Sequence, residues 1–180
     1  MRIEILALQG AFLEHKNILD ILGIENIYVK TKQDLENIDG IILPGGESTA
    51  MGKLLRDFDI LNILKEKVER GFPVFGTCSG MILLTKELIN DETKHLSTMN
   101  ISVKRNAYGR QLGSFRTYEN FKGIDGKVGE GVEILAKVDD KIVAVREKNM
   151  LAISFHPELT KDLSVHKYFL KMVKSFLPKA

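Results

Sequence analysis

Cys78 is the only cysteine of the chain, and it stands at the centre of the stretch Gly76-Thr77-Cys78-Ser79-Gly80. The apolar run "PVFG" before it predicts a strand and the run "MILL" after it predicts a helix, so the thiol falls in the turn between them. Glycines two residues before and after a nucleophile are typical of a nucleophile elbow, whose tight backbone excludes side chains. A lone cysteine is often a buried structural thiol. This pattern, at a helix start that favours the thiolate, indicates a nucleophile instead.

A thiol nucleophile needs a base, and the base needs a group that orients it. Among the four histidines, His156 is the best placed, because "LAISFHPELT" puts it directly after an apolar strand that Pro157 ends. Glu158 follows two residues later, and in an extended segment it points to the same side as the imidazole. The alternative is that His156 only ends the strand and that Glu158 is its neighbour by chance. Beside a cysteine elbow, the pair predicts a Cys-His-Glu triad.

A glycine pair at Gly45 and Gly46 follows a second buried strand, in "ILPGGESTAMGKLL". Two glycines let the backbone approach a ligand and turn an N–H group towards it. Ser48 or Thr49 is expected to cap the helix that follows. No G-K-[ST] sequence follows the glycines, so the turn does not resemble a phosphate-binding loop.

The first half of the chain alternates short apolar runs with helical patterns, which predicts a parallel sheet with helices on both faces. In such a sheet, functional groups lie at the carboxyl ends of the strands. Residues 90–133 are richer in polar residues and glycine and predict irregular or antiparallel decoration. Two more strands and a last helix, from about Leu163 to Phe176, complete the pattern. His15 and His166 lie in helical patterns and are expected to be surface or packing residues.

The chain has 180 residues, of which 44% are hydrophobic, so one compact domain over residues 1–180 is expected. The 26 basic and 24 acidic residues give a net charge of +2 without a basic stripe, which argues against a nucleic-acid partner. A single cysteine cannot form an internal disulfide, and the N-terminal apolar run is too short for a signal peptide or a membrane span. A cytoplasmic protein without membrane attachment is therefore expected.

Five motifs together resemble one family of enzymes: "LQGAFLEH" (8–15), "LPGGEST" (43–49), "FGTCSG" (75–80), "RNAYGRQ" (105–111) and "SFHPELT" (154–160). The cysteine elbow and the H-P-E sequence are similar to those of type-1 glutamine amidotransferases. The other motifs narrow the resemblance to the glutaminase subunits of pyridoxal 5′-phosphate synthase. The expected fold is α/β, with a mostly parallel, flavodoxin-like sheet, a nucleophile elbow and antiparallel decoration in the second half.

The resemblance assigns a role to each residue that matches a family motif. It implies that Cys78 is the nucleophile, His156 the general acid and base, and Glu158 the group that orients His156. Gly46 and Ser79 would supply the two oxyanion N–H groups. Glutamine would be held by Glu47, Ser48 and Arg105. Gln9 would couple the site to a partner subunit. Arg105 suits its role because a guanidinium pairs bidentately with an α-carboxylate. A solvated surface arginine is the alternative.

The resemblance implies hydrolysis of glutamine to glutamate and ammonia, without a metal or another cofactor. The ammonia would pass, within a hetero-oligomer, to a (β/α)₈-barrel synthase subunit that makes pyridoxal 5′-phosphate. The chain departs from the family pattern at two points. It lacks an Ile-Arg-Ala-Pro-type segment near residues 122–134, which leaves one wall of the pocket unassigned, and Ser79 stands where the family often has alanine.

Two other interpretations remain open at the level of sequence. The chain could serve another biosynthetic complex as its glutaminase subunit, for example imidazole glycerol phosphate synthase, which would share the triad without requiring the LQG-x₄-H or GGEST motifs. It could also be a non-catalytic interaction module that keeps the cysteine elbow but has lost a productive pocket, since fold alone does not fix function.

Overall fold

The structure, a computed structural model, describes residues 1–89, 91–104 and 128–177. Most of the apolar runs form strands, and in chain order these are β1 (Arg2–Leu6), β2 (Glu25–Val29), β3 (Gly40–Leu43), β4 (Val74–Thr77), β5 (Thr85–Ile89), β6 (Met99–Lys104), β7 (Glu133–Val138), β8 (Lys141–Glu147) and β9 (Met150–Ile153). The helices are α1 (Phe12–Ile21), α2 (Ser48–Asp57), α3 (Ile60–Glu69), α4 (Ser79–Leu84) and α5 (Ser164–Phe176). Two short 3₁₀ helices cover Lys32–Leu35 and Pro157–Leu159.

Seven strands form the main sheet in the order β2-β1-β3-β4-β9-β8-β7. The first five of these run parallel to one another, whereas β8 is antiparallel to both β9 and β7. The 2-1-3-4 order of the parallel strands is that of a flavodoxin-like fold, in which ligands bind beyond the carboxyl ends of the strands.

Helices cover both faces of this sheet, and each face has its own apolar core. One core includes Met51 of α2, Leu64 of α3 and Leu83 of α4, all fully buried. The other includes Leu19 of α1 and Phe169 of α5. The buried strands β3, β4 and β9 have no polar face because helices pack on both sides of them.

The expected α/β fold, with a mostly parallel sheet and antiparallel strands in the second half, is confirmed. Residues 85–104 contain a parallel strand pair, whereas irregular or antiparallel structure was expected from about residue 90 onwards. The apolar run after Cys78 is helical only as far as Leu84, and β5 then pairs with β6 in a separate, parallel two-stranded sheet. The β-branched Thr85 and Ile89 favour this extended segment over a longer helix.

The sheet brings distant parts of the sequence to one edge. Because β1, β3, β4 and β9 are parallel, the residues that follow each strand meet at their shared carboxyl end. These residues include Gln9, Gly45, Cys78 and His156. Within the described ranges, no helix combines the length and apolar character needed to cross a lipid bilayer.

Candidate active site

Cys78 occupies a strained turn between β4 and α4. Its φ of +48° and ψ of −103° lie in a region that residues with side chains rarely adopt and that costs about 1–3 kcal/mol. The Cys78 N–H donates to the Ile153 carbonyl over 2.9 Å, which ties the turn to the end of β9. A Cβ on Gly80 would overlap the Leu43 carbonyl, and one on Gly76 would lie 2.6 Å from the Gly80 backbone. The elbow therefore requires both glycines.

The Cys78 thiol, the His156 imidazole and the Glu158 carboxylate are joined by hydrogen bonds. His156 Nδ1 lies 2.6 Å from Glu158 Oε1, and a further hydrogen bond links the His156 ring to Cys78. Since Nδ1 faces the carboxylate, Nε2 is the nitrogen that remains for the thiol. The Glu158 side chain is fully buried, whereas 28% of the His156 side chain is exposed. The structure thus brings together the three residues predicted as a triad.

The charge on His156 follows from these two partners. The hydrogen bonds to Cys78 and then to Glu158 raise the pKa of His156 to about 10, against the opposing effect of burial. His156 is therefore an imidazolium at neutral pH. Next to it the Cys78 thiolate is favoured, because an adjacent positive charge stabilises the ionised form of a thiol.

The glycine turn after β3 packs directly against this group. A Cβ on Gly45 would overlap the His156 ring, so the glycine is needed for the imidazole to occupy its site. The Gly45 carbonyl accepts a hydrogen bond from the Ala11 N–H over 2.9 Å. The Ser79 hydroxyl donates to the Gly46 carbonyl. These contacts hold the turn between the elbow and the loop that follows β1.

Gln9 contacts the same turn. Its Oε1 accepts a hydrogen bond from the Glu47 N–H over 2.8 Å, and its side chain packs against Gly46. The loop after β1 is therefore coupled to the predicted oxyanion glycine through a side chain.

Helix α2 is capped by a residue other than the expected ones. Glu47, and not Ser48 or Thr49, is the N-cap, because its carboxylate accepts from the Thr49 N–H over 3.0 Å and from the Ala50 N–H over 2.6 Å. Ser48 is the first residue of the helix and is 4% exposed. A carboxylate at this position also interacts favourably with the helix dipole.

Two histidines that the sequence assigned only to surface or packing positions lie behind the triad. His15 and His166 are both fully buried, and His15 Nε2 lies 3.5 Å from Glu158 Oε2. Sequence reasoning missed this arrangement because the two residues lie in different helices, 151 positions apart. A signal was nevertheless present, since His15 is the last residue of the LQG-x₄-H motif.

Two predicted features lie outside the described residues. Arg105, the predicted partner of the glutamine α-carboxylate, belongs to residues 105–127, as does the whole of the "RNAYGRQ" motif (105–111). The same holds for residues 122–127 of the segment that departs from the family pattern. In the portion that is described, no three histidine, cysteine or acidic side chains are grouped closely enough to hold a metal ion.

Comparison with known proteins agrees with this geometry. The model of the SNO glutamine amidotransferase family matches residues 5–175. The pyridoxal 5′-phosphate synthase subunit PdxT of Streptococcus pneumoniae (strain ATCC 700669 / Spain 23F-1) is 53% identical over 190 aligned positions, which cover 97% of this chain and 98% of that protein. The PdxT of S. pneumoniae strain D39 is equally similar, at 53% identity with the same coverage.

A solved structure described as a glutamine amidotransferase superimposes with a TM-score of 0.84 at 43% identity, covering 96% of this chain and 98% of the other. The PurLQS structure from Thermotoga maritima, at 18% identity and a TM-score of 0.65, covers 98% of this chain and 99% of the matched one and shares the fold. The resemblance to glutaminase subunits of pyridoxal 5′-phosphate synthase, first suggested by the sequence motifs, is confirmed. With a family match that spans almost its whole length, this chain belongs to the SNO glutamine amidotransferase family.

Proposed function

We propose that this protein hydrolyses the side-chain amide of glutamine through Cys78, His156 and Glu158 and delivers the ammonia to a synthase subunit. The observation that carries the proposal is the hydrogen-bonded series from the Cys78 thiol through the His156 ring to the buried Glu158 carboxylate. A nucleophile, a proton carrier and an orienting group in contact are what amide hydrolysis by covalent catalysis requires.

In the first half of the reaction, the Cys78 thiolate attacks the γ-amide carbon and forms a C–S bond. The carbonyl π electrons move to oxygen and give a tetrahedral oxyanion. The His156 imidazolium donates its proton to the amide nitrogen, the C–N bond breaks, and ammonia leaves while the carbonyl re-forms as a γ-glutamyl thioester. The raised pKa of His156 supports this step, because the ring carries the proton before attack.

In the second half, water attacks the thioester carbon and gives a proton to neutral His156. Collapse of the second tetrahedral intermediate breaks the C–S bond and releases glutamate. The imidazolium is thus restored when water attacks and the thiolate when the C–S bond breaks, and the new γ-carboxylic acid loses its remaining proton to solvent. Glu158 keeps the same hydrogen bond to His156 Nδ1 throughout and favours the imidazolium that forms in each cycle.

The oxyanion needs N–H donors near the elbow. Ser79, directly after the nucleophile, offers the backbone N–H that serves this purpose in nucleophile elbows. Gly46 would supply the second donor, and its proximity to Ser79 supports that assignment. Glu47, Ser48 and Arg105 would hold the α-amino and α-carboxylate groups of glutamine, with Arg105 pairing to the carboxylate.

The acceptor of the ammonia is suggested by the relatives, which are named as subunits of pyridoxal 5′-phosphate synthase. We infer a hetero-oligomer in which a (β/α)₈-barrel subunit receives ammonia, in the cytoplasm. The hydrogen bond from the Glu47 N–H to Gln9 supports a role for Gln9 in coupling docking to hydrolysis. If the loop after β1 moves when the synthase subunit docks, the Gln9 side chain would also displace Gly46, against which it packs. The 53% identity to these subunits favours this complex over imidazole glycerol phosphate synthase.

Ammonia release from glutamine, measured for the chain alone and with an excess of the synthase subunit of the same complex, tests the proposal. We expect at least a tenfold increase on addition of the synthase subunit, which needs only about 1.4 kcal/mol of coupling free energy. Equal rates would refute coupling through Gln9. Absence of activity in both mixtures would refute the glutaminase and favour a non-catalytic interaction module.

A further inference from the structure

A pair of buried histidines continues the proposed triad into the core. His15 of α1 and His166 of α5 are both 0% exposed, and His15 Nδ1 lies 2.9 Å from His166 Nε2. The Phe75 ring of β4 meets both imidazoles edge to face, at centroid distances of 6.1 Å and 5.7 Å. We call His15 and His166 the inner histidine pair. Each ring is thus held by the other ring and by Phe75, in contacts that join α1, α5 and β4.

The inner histidine pair reaches the carboxylate of the proposed triad. Glu158 directs Oε1 to His156, and its other oxygen, Oε2, lies 3.5 Å from His15 Nε2. His15 Nε2 also lies 3.2 Å from Thr77 Oγ1, one residue before the nucleophile. A fully buried carboxylate is costly unless both oxygens have favourable partners. Among the described residues, Oε2 has no hydrogen-bond partner, because at 3.5 Å His15 Nε2 is hydrogen-bonded to Thr77 Oγ1 instead. His15 is the basic side chain that faces this unsatisfied oxygen.

Both histidines are neutral. Burial, and then the neighbouring His166 and His156, hold the pKa of His15 well below its usual range. Burial lowers the pKa of His166 to about 4. Each ring therefore carries one N–H and one lone pair, and the contact between them requires one ring to donate and the other to accept.

Only one arrangement of these protons suits the surroundings. If His15 carries its proton on Nε2, it donates towards Glu158, and its Nδ1 accepts from His166 Nε2–H. His166 Nδ1, which has no partner among the described residues, is then a bare lone pair. The opposite arrangement sets a His15 lone pair against the carboxylate and buries an unpaired N–H at His166 Nδ1. Orphaned buried N–H groups are rare because they are costly.

We propose that His15 is a positioning residue for Glu158, donating from Nε2 to Oε2, and that His166 fixes the His15 tautomer that makes this possible. Proton donation then runs in one direction, from His166 to His15 to Glu158. The carboxylate is held from both sides, by His156 at Oε1 and by His15 at Oε2. This inference rests on the proposed triad and extends it by two residues that do not touch the substrate.

The test compares two amide substitutions at the same site. The Gln side chain of His15→Gln can hold its amide nitrogen near the former Nε2 and donate to Glu158. The shorter side chain of His15→Asn holds it near the former Nδ1 and cannot. Both variants lose the ring contact with Phe75, so the difference between them isolates the donor. The assay is glutamine hydrolysis in complex with the synthase subunit, with thermal unfolding measured alongside.

We expect His15→Asn to lower kcat about tenfold with KM nearly unchanged, since a hydrogen bond to a charged group contributes about that factor. His15→Gln should recover most of kcat at a similar unfolding temperature. Thr77→Val, which removes the competing acceptor, should keep kcat. Equal kcat for the Asn and Gln variants, or a loss in Thr77→Val as large as in His15→Asn, would overturn the proposal.

A second measurement needs no substitution in the core. Nitrogen NMR of the protein with ¹⁵N-labelled histidine reports which ring nitrogen is protonated, and we expect the Nε2–H form at both His15 and His166. Nδ1–H at either residue overturns the proposal even if the His15 variants do not fold. Cys78→Ala, assayed in parallel, separates the two hypotheses: if it retains activity, the triad itself is wrong, whereas the His15 result bears only on positioning.

Discussion

Glu158 lies between two histidines whose pKa values are shifted in opposite directions. His156, on the outer side, is partly exposed, lies 2.6 Å from the carboxylate and has its pKa raised to about 10. His15, on the inner side, is fully buried, lies 3.5 Å away and has a lowered pKa. The same carboxylate thus faces a cation on one side and a neutral ring on the other. Burial decides the difference, because His15 has no thiolate to offset its desolvation.

This contrast divides the site into an outer half, Cys78 and His156, where charge changes during the proposed reaction, and the inner histidine pair, where it does not. A proton carrier needs an accessible ring with a high pKa. A positioning group benefits from a neutral ring whose tautomer is fixed. Substitutions in the two halves should therefore fail in different ways.

The largest effect is expected for Cys78→Ala, which removes the proposed nucleophile from the outer half. Glutamine hydrolysis by the complex should fall at least 10³-fold, whereas the unfolding temperature should stay close to that of the unsubstituted protein, because little core volume is lost. Ammonia release and a thermal melt check both parts. More than a trace of activity would rule out covalent catalysis by this thiol.

Glu158→Gln disturbs both halves at once and should be less severe. The amide offers one oxygen and one NH₂ group, so it can accept from only one of the two histidines. We expect kcat to fall about 10²-fold with a smaller change in KM, since the orienting group exchanges no bonds with the substrate. Steady-state kinetics of the complex test this. A loss equal to that of Cys78→Ala would assign Glu158 a direct chemical role.

The outer half also predicts an alkaline limit. Because the folded-state pKa of His156 is raised to about 10, the imidazolium persists through neutral pH and is lost only as the pH rises through that value. kcat/KM should then fall about tenfold per pH unit above about pH 10. The apparent value belongs to the coupled Cys78–His156 pair. A limb near pH 7 would show that His156 is not held as a cation.

The smallest effect is expected at the inner pair and concerns stability. The folded-state pKa of His166 is lowered to about 4, so the unfolded chain binds this proton first as the pH falls below about 6.5. The stabilisation is complete above that pH and declines towards pH 4, by about 1.4 kcal/mol at pH 5.5. His166→Gln should remove this part of the slope in urea titrations at pH 7.5 and 5.5. An unchanged slope would show that His166 does not titrate on unfolding.

The roles of Cys78 and His156 in the outer half could be predicted from the sequence, whereas the contact of the inner histidine pair with Glu158 could not. The elbow glycines around Cys78 and the spacing of His156 and Glu158 are local signals, because each depends on neighbours within a few residues. His15 meets Glu158 only after α1 has packed against β1, β2 and the 3₁₀ helix Pro157–Leu159, and local sequence cannot specify these contacts. In the fold, too, features set by neighbouring residues were predicted, and features set by distant contacts were not.

Strands and helices with clear periodicity, such as β3 and α5, were predicted nearly to their ends. The parallel pairing of β5 with β6 was missed, since register between strands is a tertiary property. The cap of α2 was also misassigned, because the choice between Glu47 and Ser48 depends on the backbone dihedrals at the turn.

The pairing of β4 with β9 has a consequence for how the enzyme is made. Cys78 directly follows β4, but β9, the strand that leads to His156, begins only at Met150, 72 residues later. Ribosomes add about 5–20 residues per second, so the thiol exists for several seconds before its imidazole does. Until β9 docks, Cys78 has no imidazolium beside it and keeps the modest reactivity of an ordinary thiol. The thiol therefore becomes an activated nucleophile only when β9 pairs with β4, so completion of the sheet and assembly of the site occur in the same folding step.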